Sequence, residues 1–300
     1  MKAGSMNSEG VAIVGRDLPW PAPAKLNLCL HIVGRRDDGY HLLQSAVQFI
    51  DLCDELRFLR RPAGIIERIT GPADVLPEDD LVVRAARLLA AAGGSSFGVG
   101  IELRKQIPMQ AGLGGGSSDA ATVLVALNRL WGLRFSVDQL AEMGLRLGAD
   151  VPLFVRGQAA WMEGVGEVLT PVEFDMPAYL VIKPPVAVST VEIFHASELT
   201  RNTPVTTIRA FRELGGHNDC VTAVRARYPQ VAEALDWLGK YGQSKLTGTG
   251  ACVFAALPDA RLANQLCAQV PGACQGFVVQ GLNRSPLLAR LEAEDAISDG

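Results

Sequence analysis

The sequence predicts a folded protein of mixed strands and helices in two domains, and three observations predict it. At 300 residues the chain suits two ordinary domains better than one. Its hydrophobic share of 48% and charged share of 20% belong to a chain that buries real cores. Along it, stretches with an apolar residue at every second position give way to stretches that repeat every three or four.

The readable part begins at Pro21. Leu26, Leu28, Leu30 and Ile32 alternate with Asn27, Cys29 and His31, the period of one half-buried strand, which puts Lys25 on the same face as Asn27. Asp37-Asp38-Gly39 is a turn signal, and the apolar stretch from Leu42 to Leu56 completes a hairpin-like start. Asp79 or Asp80 can cap a helix carried by Val82, Ala85, Ala86 and Leu89 and ended by Gly93-Gly94. Ile101 to Ile107 alternates as a strand. After a glycine-rich loop, Ser117 or Ser118 can cap a helix whose stripe is Val123, Leu124, Leu127 and Leu130, stopping near Gly132.

Ser136 and Gln139 form a capping box for the next helix, which runs through Leu140, Met143 and Leu147 to Gly148. Asp150 then stands between that glycine and the apolar run Val151–Val155, at the edge of a core where a carboxylate must find a partner. Lys25 is the candidate. The ordinary alternatives are a capping or turn aspartate and an exposed strand-end lysine. Lys245 to Phe254 reads as a loop with two glycines, Gly248 and Gly250, entering a buried strand; it is a second place of close backbone approach or a tight turn.

The most unusual segment is Pro108-Met109-Gln110-Ala111-Gly112-Leu113-Gly114-Gly115-Gly116-Ser117-Ser118, between a strand and a helix. Glycines let backbone N–H groups turn toward an anion, and the helix start adds about half a positive charge, so a phosphate chain fits. The two serines can add hydroxyl donors or a metal ligand. Gly112, Gly114 and Ser117 only partly match a dinucleotide fingerprint, and no acidic strand end follows. No Lys-Ser or Lys-Thr follows the glycines, and no HRD or DFG triplet occurs, so neither a Walker loop nor a protein kinase is indicated.

A net charge of −4 excludes general nucleic-acid binding through phosphate neutralisation. Cys29, Cys53, Cys220, Cys252, Cys267 and Cys274 form no CxxC pair, which argues against a zinc site or disulfide framework and for a reduced, cytoplasmic protein. No apolar run is long enough to span a bilayer. Residues 1–19 are poorly patterned and Met6 could be a second start, so no element of the fold is expected there.

The loop at 108–118 resembles the Pro-x-x-x-Gly-Leu-Gly-x-x-x-Ser motif of the GHMP kinase superfamily. Pro23-Ala24-Lys25-Leu26-Asn27-Leu28, Arg36-Asp37-Asp38-Gly39-Tyr40-His41, Leu147-Gly148-Ala149-Asp150-Val151-Pro152 and Leu246-Thr247-Gly248-Thr249-Gly250 are similar, in the same order, to the branch of that superfamily whose acceptor is a cytidylylated methylerythritol. The resemblance covers Pro21 to about Leu287. It implies an α+β fold with an N-terminal nucleotide-binding domain over 20–160, a C-terminal ferredoxin-like domain over 161–288 and the active site in the cleft between them. The ends at 1–19 and 289–300, outside the resemblance, are expected to be flexible, the tail with Glu292, Glu294, Asp295 and Asp299 reading as a solvated acidic end.

The implied reaction moves the γ-phosphate of ATP to the 2-hydroxyl of a small acceptor carrying a cytidine diphosphate group, a step in non-mevalonate isoprenoid (terpenoid) biosynthesis. The resemblance makes Asp150 the base and Lys25 the charge stabiliser. It assigns Lys105 and residues 108–118 to ATP, and Asn27, Tyr40, His41, Thr190 and Phe194 to the acceptor. Mg²⁺ is expected with the nucleotide, its ligands unassigned and Ser117 and Ser118 the candidates. Neither nucleic acid nor membrane is an expected partner. Three departures stand out: Gln110 and Ala111 replace two glycines common in the family, and Asp80 stands where an asparagine is frequent. Another small alcohol as acceptor, or a nucleotide-binding module without turnover, are the alternatives; Tyr40, His41 and Phe194 discriminate the first, Lys25 with Asp150 the second.

Overall fold

A computed structural model describes residues 18–94 and 97–298. Residues 1–17, which hold Met6 and most of the poorly patterned N-terminal segment, lie outside the described residues. The first half carries β1 (Trp20–Asn27), β2 (His31–Arg35), β3 (His41–Arg61), β4 (Ile66–Thr70), α1 (Leu81–Ala92), β5 (Gly98–Arg104), α2 (Gly115–Leu130), α3 (Val137–Leu145) and α4 (Val151–Arg156). The second carries β6 (Ala160–Gly164), β7 (Val168–Pro171), β8 (Ala178–Lys183), α5 (Thr190–His195), α6 (Ile208–Leu214), α7 (Val221–Arg227), α8 (Pro229–Leu238), β9 (Lys245–Leu246), β10 (Val253–Leu257), α9 (Ala260–Cys267), β11 (Gln275–Leu282) and α10 (Pro286–Ser298).

Strand β3 is the spine: β1, β2, β5, β6 and β11 all pair antiparallel to it. From Gln44 to Ile50 each of its residues is buried, whereas from Asp54 to Phe58 only alternate ones are. The first stretch is therefore covered on both faces and the second on one. Strand β11 joins the two halves, pairing with β8 along its length and with β3 through Gly281 and Leu282. The result is one mixed eleven-stranded sheet, with β4 parallel to β5 and the path continuing through β3, β11, β8, β10 and β9. The α+β class is as expected.

Two large cores lie on this sheet. One gathers Phe49, Leu56 and Phe58 with Val82 and Leu89 of α1, Leu124 and Leu127 of α2 and Phe154 of α4. The other gathers Leu180 and Ile182 of β8 with Ile193, Val224, Leu235 and Val253. Each such side chain withdrawn from water contributes about 1.5–3 kcal/mol, the main force holding these layers together.

The helix starts at Asp80 and Ser136 are as the sequence predicts: Asp80 accepts from Val82 N–H at 3.0 Å, and Ser136 and Gln139 close a capping box. Other expectations are corrected. The single strand expected from Leu26 to Ile32 is broken between β1 and β2, because Leu26 packs with Ile107 and Phe254 while Leu30 and Ile32 enter the second large core. Helix α2 is capped by Gly114 rather than Ser117 or Ser118, since a left-handed residue at φ 73° starts it three residues earlier. The end at 289–300, expected to be flexible, is helical to Ser298. Leu287 is buried in the first core, Arg290 lies 4.3 Å over the Trp20 ring, and Glu292 and Asp295 pair with Arg284 and Arg129. Glu292 and Asp295 face outward to arginines, while Leu287 and Arg290, before them in the chain, hold the helix down.

Candidate active site

The glycine loop is shaped by close contact as much as by backbone freedom. Gly112 sits at φ 74°, and a Cβ there would lie 2.2 Å from the Thr247 carbonyl oxygen. At Gly114 a Cβ would meet the Phe154 ring at 2.7 Å and Lys25 Cγ at 3.1 Å. Helix α2 begins at once, so the N–H groups of its first turn have no partners within the helix and point at the adjoining space.

That space is a cavity of ≈ 580 Å³. Lys105, Pro108, Met109, Gln110, Ala111, Gly112, Leu113, Gly114, Gly115, Gly116 and Ser117 line it, with Asp79, Asp80 and Leu81 at its far end. Ser118 does not: its Oγ is buried inside the helix with no hydrogen-bond partner. Of the departures, Gln110 takes a positive φ of 52°, a conformation a glycine there would adopt freely. Ala111 is buried, and its carbonyl accepts from Cys252 N–H at 3.1 Å. Asp80 caps α1 with Oδ1 and pairs with Arg68 through Oδ2, so both its oxygens are engaged.

A second cavity, of ≈ 680 Å³, opens on the other side of the loop. Lys25, Asn27, Tyr40, His41, Asp150, Thr190 and Phe194 all line it. Gly112, Gly114, Ser117 and Thr190 belong to the walls of both cavities, so the loop is the partition between them.

Lys25 reaches this partition because β1 is irregular: its register on β3 shifts between Pro23 and Lys25. The Lys25 N–H is thereby free to bond Leu113 O at 3.0 Å, tying strand to loop. Its buried Nζ donates to Asn27 Oδ1 and lies 3.7 Å from Asp150 Oδ2. Asn27 is held in turn by Ser45 Oγ at 2.8 Å and Thr247 Oγ1 at 3.1 Å. Helix α4 anchors Asp150 from its C-terminal side, since Val151 to Val155 are all buried. The Asp150 side chain makes no cap hydrogen bond, so it is not a capping aspartate, and Lys25 is not an exposed lysine.

The loop of Gly248 and Gly250 closes onto the phosphate-loop segment. Thr247 Oγ1 donates to Gly112 O at 3.1 Å, Asn218 Nδ2 donates to Leu246 O and Gly248 O, and Thr249 and Thr190 hydroxyls meet at 2.8 Å. At the far end of the larger cavity His41 and Phe194 form an offset stack, centroids 5.0 Å apart, and Tyr40 is 66% exposed beside them.

Sequence reasoning missed Asp54. Its buried carboxylate accepts from Gln106 N–H at 2.5 Å and Ile107 N–H at 2.8 Å, just before the loop, and from Lys105 Nζ. Lys105 also bonds Asp119 of α2 at 2.7 Å, just after the loop. Burial works against the Lys105 ammonium, but Asp119 and Asp54 outweigh it and hold its pKa above the ordinary value. Burial pushes the Asp119 carboxyl well above the ordinary range against the pull of Lys105. The signal was present: Asp54 lies on the inward face with Leu56 and Phe58, where a carboxylate needs partners.

Among the described residues no group of three or more His, Cys, Asp or Glu side chains is placed to hold a metal ion. Among the side chains bordering the smaller cavity, Ser117 and Asp119 bring oxygens to the start of α2, and Asp119 Oδ1 is buried there without a hydrogen-bond partner. No helix among the described residues is long and apolar enough to cross a membrane.

Comparison with known proteins identifies the relatives of this chain. Residues 80–158 match the GHMP kinases N terminal domain and residues 199–275 the GHMP kinases C terminal domain. The chain is 53% identical over 278 residues, 92% of its length and 95% of the relative's, to 4-diphosphocytidyl-2-C-methyl-D-erythritol kinase of Ectopseudomonas mendocina. The enzyme of that name from Nitrosococcus oceani is 53% identical over 275 residues, 92% of this chain and 98% of that one. The chain belongs to the 4-diphosphocytidyl-2-C-methyl-D-erythritol kinase family of GHMP kinases. A crystal structure of 4-(cytidine 5′-diphospho)-2C-methyl-D-erythritol kinase superposes with a TM-score of 0.77 at 30% identity, over 88% of this chain and 99% of that one. A mevalonate kinase superposes at 0.66 with 13% identity, over 89% of this chain and all of that one, which shows the GHMP kinase fold alone.

Proposed function

We propose that the chain transfers the γ-phosphate of ATP to the 2-hydroxyl of 4-diphosphocytidyl-2-C-methyl-D-erythritol, in non-mevalonate isoprenoid synthesis. The observation that carries this reading is the partition: one glycine loop walls both cavities, with Lys25 and Asp150 on its acceptor side. ATP takes the smaller cavity, its phosphates against the first turn of α2, and its γ-phosphate reaches the larger one past Gly114 and Ser117. The acceptor hydroxyl lies against Asp150, which orients it and takes its proton late in the transfer, when the bond to phosphorus is largely made.

Lys25 stabilises the charge that gathers on the transferring oxygens, and Asn27, held by Ser45 and Thr247, keeps the ammonium in place. Magnesium bound with the nucleotide would neutralise phosphate charge; Ser117 Oγ and Asp119 Oδ1 are the protein oxygens suited to it. At the other end Tyr40 and Phe194 take the cytosine ring between them. His41, offset on the face of Phe194, is then edge to edge with a base sharing that face.

The deciding experiment measures ADP release from ATP with and without added acceptor. Release that needs the cytidylylated acceptor is expected; turnover of mevalonate or homoserine at a similar rate would assign another acceptor, and no acceptor-dependent release would leave a binding module.

A further inference from the structure

We propose that Arg201 is a positioning residue that dictates which nitrogen of His41 carries the proton, and thereby which pyrimidine the larger cavity accepts. The proposal rests on the reading that this cavity holds a cytidine group. Arg201 Nε donates to His41 Nε2 at 3.3 Å. A guanidinium can only donate, so Nε2 must accept, and the single proton of a neutral imidazole must then sit on Nδ1.

Arg201 cannot turn away to release this constraint. Its other nitrogens bond the carbonyls of Phe194 at 3.0 Å, Ala196 at 2.7 Å and Leu199 at 3.1 Å, so the guanidinium is spent on the carbonyls at and just past the C-terminal end of α5. The ring stays neutral as well. Burial, then the charges of Arg201, Arg35 and His195, hold the His41 pKa below the ordinary histidine value. Among the described residues Nδ1 has no hydrogen-bond partner, and the ring lines the cavity.

The consequence is a fixed N–H donor. Cytosine offers an acceptor at N3, whereas uracil carries a proton there. A donor that cannot become an acceptor bonds the first and leaves two N–H groups opposed with the second, and burying such a mismatch is costly. A histidine free to move its proton would serve either base. Discrimination is thus carried by His41 and enforced by a residue that does not line the cavity.

The test uses the intact chain, with cytidine 5′-diphosphate and uridine 5′-diphosphate as probes in calorimetry and ¹⁵N spectra of the imidazoles, the His41 signals identified by their loss in His41→Gln. The wild-type protein is expected to show His41 protonated on Nδ1 and to prefer the cytidine ligand by about 10–100-fold. Arg201→Met is expected to move the proton toward Nε2 and bring the two affinities together with ATP affinity unchanged. His41→Gln, whose amide can present either group, is expected to lose the preference while Arg201 remains, and it decides the matter should Arg201→Met fail to fold. Protonation of wild-type His41 on Nε2, or an undiminished preference in either variant, overturns the proposal. Binding of neither diphosphate by the wild-type chain overturns the cytidine reading and the base selection with it, while the ¹⁵N spectrum still decides the tautomer.

Discussion

Lys25 Nζ stands 3.7 Å from Asp150 Oδ2, beyond hydrogen-bond range, while it bonds Asn27 directly. The ammonium is thus held by the amide, and the carboxylate keeps its lone pairs for an incoming hydroxyl. Asp150→Asn is expected to cut kcat by about 10²–10⁴-fold and leave ATP binding intact. Lys25→Ala is expected to lower kcat as well, and the double variant to lose less than the product of the two. Near-normal turnover in Asp150→Asn would remove it from the base role.

The sensitive glycine is Gly112. The backbone oxygen 2.2 Å from its would-be Cβ belongs to Thr247, which the second glycine loop holds in place. Gly112→Ala should destabilise the fold by about 1–3 kcal/mol from backbone strain alone and weaken ATP binding. Urea denaturation and calorimetry read both. Gly116→Ala is the control, since a Cβ there meets only Leu81 Cδ1, at 3.5 Å. Equal behaviour of the two variants would show that the loop tolerates crowding.

Asp54 clamps both ends of the phosphate loop, the entrance through two N–H groups and the exit through Lys105 and Asp119. Asp54→Ala strands the buried Ile107 N–H and takes one of its two carboxylates from Lys105, and a loss of about 3–5 kcal/mol is expected. Asp54→Asn keeps an acceptor for the backbone and should lose less stability yet still bind ATP more weakly. A fully stable Asp54→Ala protein would show that the loop holds its shape without the clamp.

Tyr40 and Phe194 test the acceptor end. If a cytosine stacks between them, each alanine variant should raise the acceptor KM by about 10–100-fold with the KM for ATP nearly unchanged. Phe194→Ala should have the larger effect because it also removes the ring on which His41 rests. Indifference to both deletions would move the base to another part of the cavity.

What the sequence by itself determined was local. The caps at Asp80 and Ser136, the stop at Gly132 and the strand–loop–helix order around Gly112 each depend on residues a few positions apart, so propensity and hydrogen bonding within one turn decide them. The start of α2 escaped the same logic because a glycine with φ 73° cost less than waiting for a serine cap. The motifs that resemble GHMP kinases lie within such local stretches and were legible for that reason.

Only the tertiary structure decided which distant groups meet. A buried carboxylate or carbonyl must find a partner, but the requirement names no residue. Asp54 found Lys105, Arg201 found His41 across 160 positions, and Thr247 found Gly112 across 135. The acidic C-terminal stretch reads as solvated, yet α10 folds back on Trp20, because burying Leu287 and stacking Arg290 hold down the helix that carries Glu292, Glu294 and Asp295.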